Sequence, residues 1–254
     1  MTMLGALDPA QLLAVLTIFV AGGVVKGAIG FGLPLVTMSV LPLVVPVEAA
    51  LAINAIILPL TNIKQFLQER RISETLRRFS PVIIGVVIGV PIGAAFVTFV
   101  NDAVLLISLG VFVIAFTGVS LVTPRLVVPQ RRERSLGGVI GILAGVLGAL
   151  TTANGPLFVM YLVGLKVERA VFLSAISLFF IVSGVIISAS FFVAGLFDMP
   201  RFLTALAAFP AALAGMYLGN ALAQRIPAER FRLAVLVVLC LLGANLVLRG
   251  ISAA

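Results

Sequence analysis

Two stretches decide how this chain folds: Gly22-Gly23-Val24-Val25-Lys26-Gly27-Ala28-Ile29-Gly30-Phe31-Gly32-Leu33-Pro34, and Gly148-Ala149-Leu150-Thr151-Thr152-Ala153-Asn154-Gly155-Pro156. Each sets helix-weakening glycines and a proline between two apolar arms. The arms belong to a chain of 254 residues that is 62% hydrophobic and 10% charged, with a mean hydropathy of +1.28. A soluble domain is about half apolar and about a quarter charged. This chain has too little polar surface to cover itself in water, so it reads as an all-α integral membrane protein in a lipid bilayer. Broken backbone at membrane depth is tolerated only where buried protein or water satisfies it. Matched interruptions in two halves of a chain point to a binding site.

Outward from the breaks, spans of about 20 apolar residues allow eight to ten membrane segments, with broken or re-entrant helices at 22–34 and 148–156. The expected segments are 10–26, 33–46, 47–66, 80–100, 103–123, 136–152, 155–165, 170–194, 202–224 and 231–249. The runs 33–46 and 155–165 are short, and Pro34, Pro42 and Pro46 interrupt the first. Each is a full span, a half-helix or one arm of a re-entrant hairpin, and the orientation of the loops is compatible with all of these. Four loops hold 14 of the 17 basic residues: Lys64, Arg70, Arg71, Arg77 and Arg78; Arg125, Arg131, Arg132 and Arg134; Lys166 and Arg169; Arg225, Arg230 and Arg232. The excess of Lys and Arg in cytoplasmic loops puts all four inside. The loops at Asn101-Asp102 and Asp198 and both termini then lie outside, and the location is the inner membrane. The N-terminal MTMLGALDPA carries Asp8 and no Lys or Arg, unlike a signal peptide, so its apolar run is expected to be retained.

The halves resemble each other. Val47-Glu48-Ala49-Ala50 followed by Asn54 matches Val167-Glu168-Arg169-Ala170 followed by Ser174, at an offset of 120. Pro34-Leu35 matches Pro156-Leu157 at 122, Gly118 matches Gly243 at 125, and Gly89 and Gly93 match Gly215 and Gly219 at 126. The division is a first repeat over 1–124, a cytoplasmic linker over 125–135 and a second repeat over 136–254. One half starts outside and the other inside, so the repeats are inverted, the arrangement that exposes a midplane site alternately to each side. Small residues spaced by four, as in Gly85, Gly89 and Gly93, Gly137, Gly141 and Gly145, and Gly215 with Gly219, let helices pack closely. These faces can meet within one chain or between two, which leaves room for a homodimer.

Several chemistries are excluded. With no His, Ser-His-Asp catalysis and imidazole-ligated metals are absent, and no cofactor or metal is expected. Cys240 is the one cysteine and is expected to pack as a small core hydrophobe. The net charge of +8 is spread over loops rather than gathered on one face, which argues against nucleic acid.

The breaks suit a small inorganic or organic anion. Helices starting near Leu33 and Gly155 aim free N–H groups and positive dipole ends at the break. Lys26 is the one basic residue inside an apolar segment. An unpaired ammonium there costs several kcal/mol, so it serves an anion, snorkels to an interface, or pairs with a carboxylate such as Glu48. Thr151, Thr152 and Asn154 are candidate donors to oxyanion oxygens, or caps of the helix beginning at Gly155. Asn54 and Asn62 are polar residues on the third segment, for ligand contact or interhelical bonding. No carboxylate lies mid-segment: Glu48, Asp102, Glu168 and Asp198 all fall at expected ends. Coupling to protons or sodium therefore lacks an obvious carrier. A cytoplasm-negative potential favours anion exit by about 2.3 kcal/mol per charge per 100 mV, so uniport suffices.

The run Lys26-Gly27-Ala28-Ile29-Gly30-Phe31-Gly32-Leu33-Pro34, with Asn154-Gly155-Pro156-Leu157 in the second half, resembles the sulfite exporter (TauE/SafE) family of membrane permeases. The resemblance covers essentially the whole chain. Many members show a triple glycine where this chain has Gly30-Phe31-Gly32. The resemblance implies a transporter of small sulfur-containing anions, sulfite or organosulfonates such as sulfoacetate, with Gly30, Gly32, Asn154 and Gly155 in its site. Lys26, Asn54, Thr151 and Thr152 come from charge and burial. The rivals are a channel or uniporter for another small anion or solute, an intramembrane enzyme and a scaffold. The missing His and the lack of paired mid-membrane carboxylates weigh against the enzyme. Two matched breaks weigh against the scaffold.

Overall fold

The computed structural model describes residues 7–68, 71–122, 128–224 and 228–253. Ten α-helices follow one another there: α1 (Pro9–Ile29), α2 (Leu33–Val40, continued by a 3-10 turn over Leu41–Leu43), α3 (Val47–Gln68), α4 (Ile72–Val97), α5 (Asp102–Val122), α6 (Glu133–Thr151), α7 (Gly155–Gly164), α8 (Arg169–Val193), α9 (Met199–Ala223) and α10 (Ala228–Ala253). No strand occurs among the described residues. Eight of these helices are long and apolar enough to cross a membrane, while α2 with its 3-10 turn and α7 are short. Arg70, Arg125 and Arg225, and residues 125–127 of the expected linker, lie outside the described residues, as do the side chains of Lys64, Arg230 and Arg232.

Local chemistry sets the ends. Asp8 accepts from Gln11 N at 2.7 Å while the Gln11 side chain accepts from Asp8 N, and Pro9 opens the helix. Asp198 caps α9 by accepting from Arg201 N at 2.7 Å, with Pro200 behind it. The largest departure from expectation is α4, which begins at Ile72 rather than near 80. Its polar first turns carry Glu74, Arg77 and Arg78 and escape a reading based on apolar length. Phe79 (φ −99°, ψ 15°) kinks the helix just before Pro81, whose nitrogen cannot bond the carbonyl of Arg77. Cys240, expected in the core, is exposed on α10.

Close packing follows the glycines. α4 runs alongside α6: a Cβ on Gly89 would strike the backbone of Ile142, and one on Gly93 that of Val146. α1 runs alongside α9: Gly215 sits on the backbone of Val20, and Gly219 on that of Val24. These are the same contacts twice. Gly89 and Gly93 correspond to Gly215 and Gly219 at an offset of 126, and Ile142 and Val146 correspond to Val20 and Val24 at 122. α5 meets α10 in antiparallel, through Gly110 with Gly243 and Gly250 with Ala103, while α3 crosses α8 where Gly184 lies against Pro59.

Two faces can be told apart. On one, Gln11 Nε2 donates to Val44 O and Arg249 Nη1 to Pro42 O, each at 3.4 Å, so the start of α1, the end of the α2 arm and the end of α10 lie together. On the other, Arg71 pairs with Glu168 at 3.7 Å, Arg78 with Glu133 at 2.6 Å, and Val128 N donates to Gly164 O at 2.8 Å. Three of the four basic loops therefore share the second face. α1 starts at the first face and α6 at the second, an arrangement consistent with inverted repeats.

Candidate functional site

Each break is a turn between a long helix and a short one. In the first half Gly30 closes α1 in the left-handed region (φ 87°), its N–H donating to Lys26 O at 2.7 Å. Gly32 (φ 97°) then starts α2, and Pro34 lies in the first turn. A side chain with a Cβ would be strained at both glycines. In the second half Thr152 takes the place of Gly30. Its N–H donates to Gly148 O at 2.7 Å, and its φ is 50°, a left-handed conformation unusual for a β-branched residue. Asn154 stands where Gly32 stands, one residue before α7, again with Pro in the first turn.

The two turns meet. A Cβ on Gly155 would lie 3.9 Å from Phe31 Cδ2 and 3.0 Å from Phe180 Cζ. The ring of Phe180 has its centroid 5.8 Å from Lys26 Nζ. Lys26 and the start of α7 thus flank one aromatic ring, and Phe31 of the first turn lies close to Gly155.

Lys26 is 2% exposed. Its Nζ donates to Asn62 Oδ1 at 2.6 Å and to Thr61 Oγ1 at 3.3 Å, both on α3. The Asn62 amide is oriented by its own Nδ2, which donates to Leu58 O at 2.6 Å, and the Thr61 hydroxyl donates to Ile57 O at 3.0 Å. Both partners are therefore preset as acceptors towards the ammonium. Glu48, the carboxylate partner considered from sequence, begins the other end of α3 and does not pair with it.

On the opposite turn, Thr151 Oγ1 donates to Leu147 O at 2.6 Å and accepts from Ala153 N at 3.2 Å, so its hydroxyl is engaged locally. Asn154 Nδ2 donates to Ser183 Oγ on α8 at 2.6 Å. Asn154 makes no side-chain cap to α7. Thr152 Oγ1 and Asn154 Oδ1 are buried with no partner, although both residues are 0% exposed. In the first turn of α7 the N–H groups of Gly155 and Leu157 have no partner within the helix, and Pro156 carries none. Gly148, the counterpart of Lys26, makes room here: a Cβ on it would lie 2.6 Å from Asn154 Nδ2. The first half of the chain reaches α3 from position 26, and the second half reaches α8 from position 154.

Lys26, Gly30, Gly32, Thr151, Thr152, Asn154 and Gly155 thus fall on two turns that touch. Asn54 does not: it sits two turns of α3 before Asn62, accepting from Thr37 Oγ1 at 2.6 Å and donating to Ala50 O at 3.0 Å and to Met38 Sδ at 3.3 Å. It ties α2 to α3. Thr61, Phe180 and Ser183 were not singled out from the sequence, where each is one of many like residues in an apolar run. Asn62 was noted, but not its bond to Lys26. Lys26, Gly32, Thr151, Thr152, Asn154 and Gly155 are buried, while Gly30 and Phe31 are partly exposed. A separate groove of about 680 Å³ opens on the basic face, lined by Ser73, Glu74, Arg77, Arg78, Gln130, Glu133 and Arg134.

The family model of the sulfite exporter TauE/SafE matches residues 14–246, so the chain belongs to that family, a family of multi-pass membrane transporters. No curated protein and no solved structure matches it.

Proposed function

We propose that this member of the family carries small sulfur oxyanions, sulfite or an organosulfonate, out across the inner membrane, binding them where the two turns meet. The observation that carries the reading is the pairing of a buried ammonium with unpartnered polar groups on the facing turn. A buried polar group without a partner costs about 1–3 kcal/mol, and a buried ammonium without a counter-ion costs several. An anion placed between Lys26 and the start of α7 offsets both. The Lys26 ammonium and the N–H groups of Gly155 and Leu157 are its donors, with the dipole of α7 adding to the field. The Thr152 hydroxyl is a further donor. A left-handed threonine at a position where the other repeat uses glycine is a strain of about 1–3 kcal/mol, which its hydroxyl justifies.

Transport by alternating access is the mechanism that the matched halves support. The seams α1·α9 and α4·α6 join each long helix to the other half, so each break rides on a partner from the opposite repeat. Lys26, Thr152 and Asn154 are buried, so access to the site requires a movement of the helices. Rocking of the halves opens it first to the basic face, which is cytoplasmic, then to the face holding both termini. The chain acts as a carrier and not as an enzyme.

The test is uptake into liposomes containing the purified protein, comparing sulfite, sulfoacetate, sulfate and thiosulfate. Saturable flux of one sulfur anion, stimulated by the same anion on the far side and lost in Lys26→Ala, supports the reading. Flux that does not saturate points to a channel. Flux unchanged by Lys26→Ala overturns the placement of the site.

A further inference from the structure

We infer that the site selects by charge number, taking singly charged oxyanions in preference to doubly charged ones; this rests on the reading of the meeting point of the turns as the substrate site. The argument is a count of charges and donors. Among the described residues the neighbours of the Lys26 ammonium are neutral: Asn62 Oδ1 at 2.6 Å, Thr61 Oγ1 at 3.3 Å and the face of Phe180. The charged residues on the helices around it are Glu48 and Lys64 on α3, Arg169 on α8 and Arg201 on α9, all at or near helix ends; α2 has none, and Tyr217 of α9 is exposed. An ammonium carries three donors. Two are directed at Asn62 and Thr61, which leaves one for the ligand.

One negative charge on the ligand balances this site. A second would meet only the partial charge of a helix start, about half an elementary charge, among the buried side chains of Lys26, Thr152 and Asn154. The unpartnered atoms on the facing turn agree with that count. The Thr152 hydroxyl can donate to the ligand, while Asn154 Oδ1 is an acceptor and one of the two N–H bonds of its amide is taken by Ser183. Asn154 Oδ1 is matched by an oxyanion that still holds a proton, and it repels one that has lost it. Hydrogensulfite fits both atoms, and a simple alkyl sulfonate fits the charge. Sulfate, thiosulfate and sulfoacetate each carry two charges near neutral pH.

The test uses liposomes containing the full chain, with fluxes corrected for protein-free vesicles. Sulfite, methanesulfonate and sulfate are compared as the pH is raised through the range in which hydrogensulfite loses its proton. Methanesulfonate stays singly charged throughout, so the sulfite-to-methanesulfonate ratio cancels any effect of pH on the protein. The expected results are a ratio that falls as pH rises and a sulfate flux at least roughly tenfold below that of methanesulfonate. A ratio that holds or rises, or sulfate carried as fast as methanesulfonate, overturns the inference. Lys26→Met, shown folded by its elution profile, separates the two levels. Flux that depends on Lys26 without discriminating by charge leaves the substrate site standing and removes only the charge filter. Flux indifferent to Lys26→Met, or no flux of any of the three, removes the site reading itself. Lys26→Arg keeps the charge and is expected to keep the discrimination.

Discussion

The glycine seams offer a perturbation whose size follows from the coordinates. In Gly219→Ala the new Cβ would lie 2.7 Å from the carbonyl carbon of Val24 and 2.8 Å from its Cα; in Gly93→Ala it would lie 2.8 Å from the Cα of Val146 and 2.9 Å from the Ala149 Cβ. Carbon atoms rest about 3.5–4.0 Å apart. The obstacles are mostly backbone atoms of a neighbouring helix, so no side chain can swing away, and the seam must open by roughly 0.7–1.2 Å at that point. Overpacking of this kind costs about 1–3 kcal/mol. Alanine returns up to about 1 kcal/mol of helix propensity. The net is a loss of roughly 1–2 kcal/mol for each substitution, nearly additive in the double variant because the two seams are separate. Gly118→Ala is the control, since nothing lies within 4 Å of its Cβ position and only the propensity gain remains. The assay is the thermal midpoint in detergent, read by loss of the monodisperse peak. At about 2–4 °C per kcal/mol for a chain of this size, Gly219→Ala and Gly93→Ala should each fall by several degrees while Gly118→Ala holds or rises. If Gly118→Ala fell as far as the other two, or if both seam variants matched the parent, close packing of α1 on α9 and α4 on α6 would be refuted.

Thr152→Gly should relieve the left-handed threonine and raise stability by about 1 kcal/mol while lowering flux; a thermal scan beside a flux assay reads both, and unaltered flux would deny the hydroxyl its role. Asn54→Ala removes the bonds to Thr37, Met38 and Ala50, which should cost about 1–3 kcal/mol and leave the KM for the transported anion unchanged; a raised KM with parental stability would return Asn54 to the site. In a Cys240→Ser background, Asn101→Cys and Asp198→Cys should react with an impermeant maleimide on intact cells, and Lys166→Cys only after lysis. The reverse pattern would invert the orientation.

Much of the fold is legible in the residues because the deciding signals are local. Gly30, Gly32, Pro34 and Pro156 break helices by their own backbone preferences, whatever surrounds them, and apolar length alone finds the eight long helices. The matched offsets of 122 and 126 reappear as matched contacts, Gly89 on Ile142 and Gly215 on Val20. The polar turns of α4 before Phe79 escaped because length in apolar residues says nothing about a helix that leaves the membrane. The candidate site is legible on its two turns and not beyond them. That Lys26 faces Asn62 and Thr61 rather than Glu48 depends on how α1 lies against α3, and Phe180 has no mark that separates it from the other phenylalanines until Gly155 is placed against its ring. Cys240 faces outward for a related reason: in a bilayer an apolar residue is equally at home on the lipid side, so hydropathy cannot assign it to the core.

The most direct measurement is a structure of the protein soaked with selenite, the heavier analogue of sulfite, with selenium located by its anomalous scattering. The account expects one peak between Lys26 Nζ and the first turn of α7, within hydrogen-bonding reach of the ammonium and of the Gly155 N–H, and absent in Lys26→Met. A peak elsewhere in the bundle, or the same peak undiminished in Lys26→Met, would contradict it.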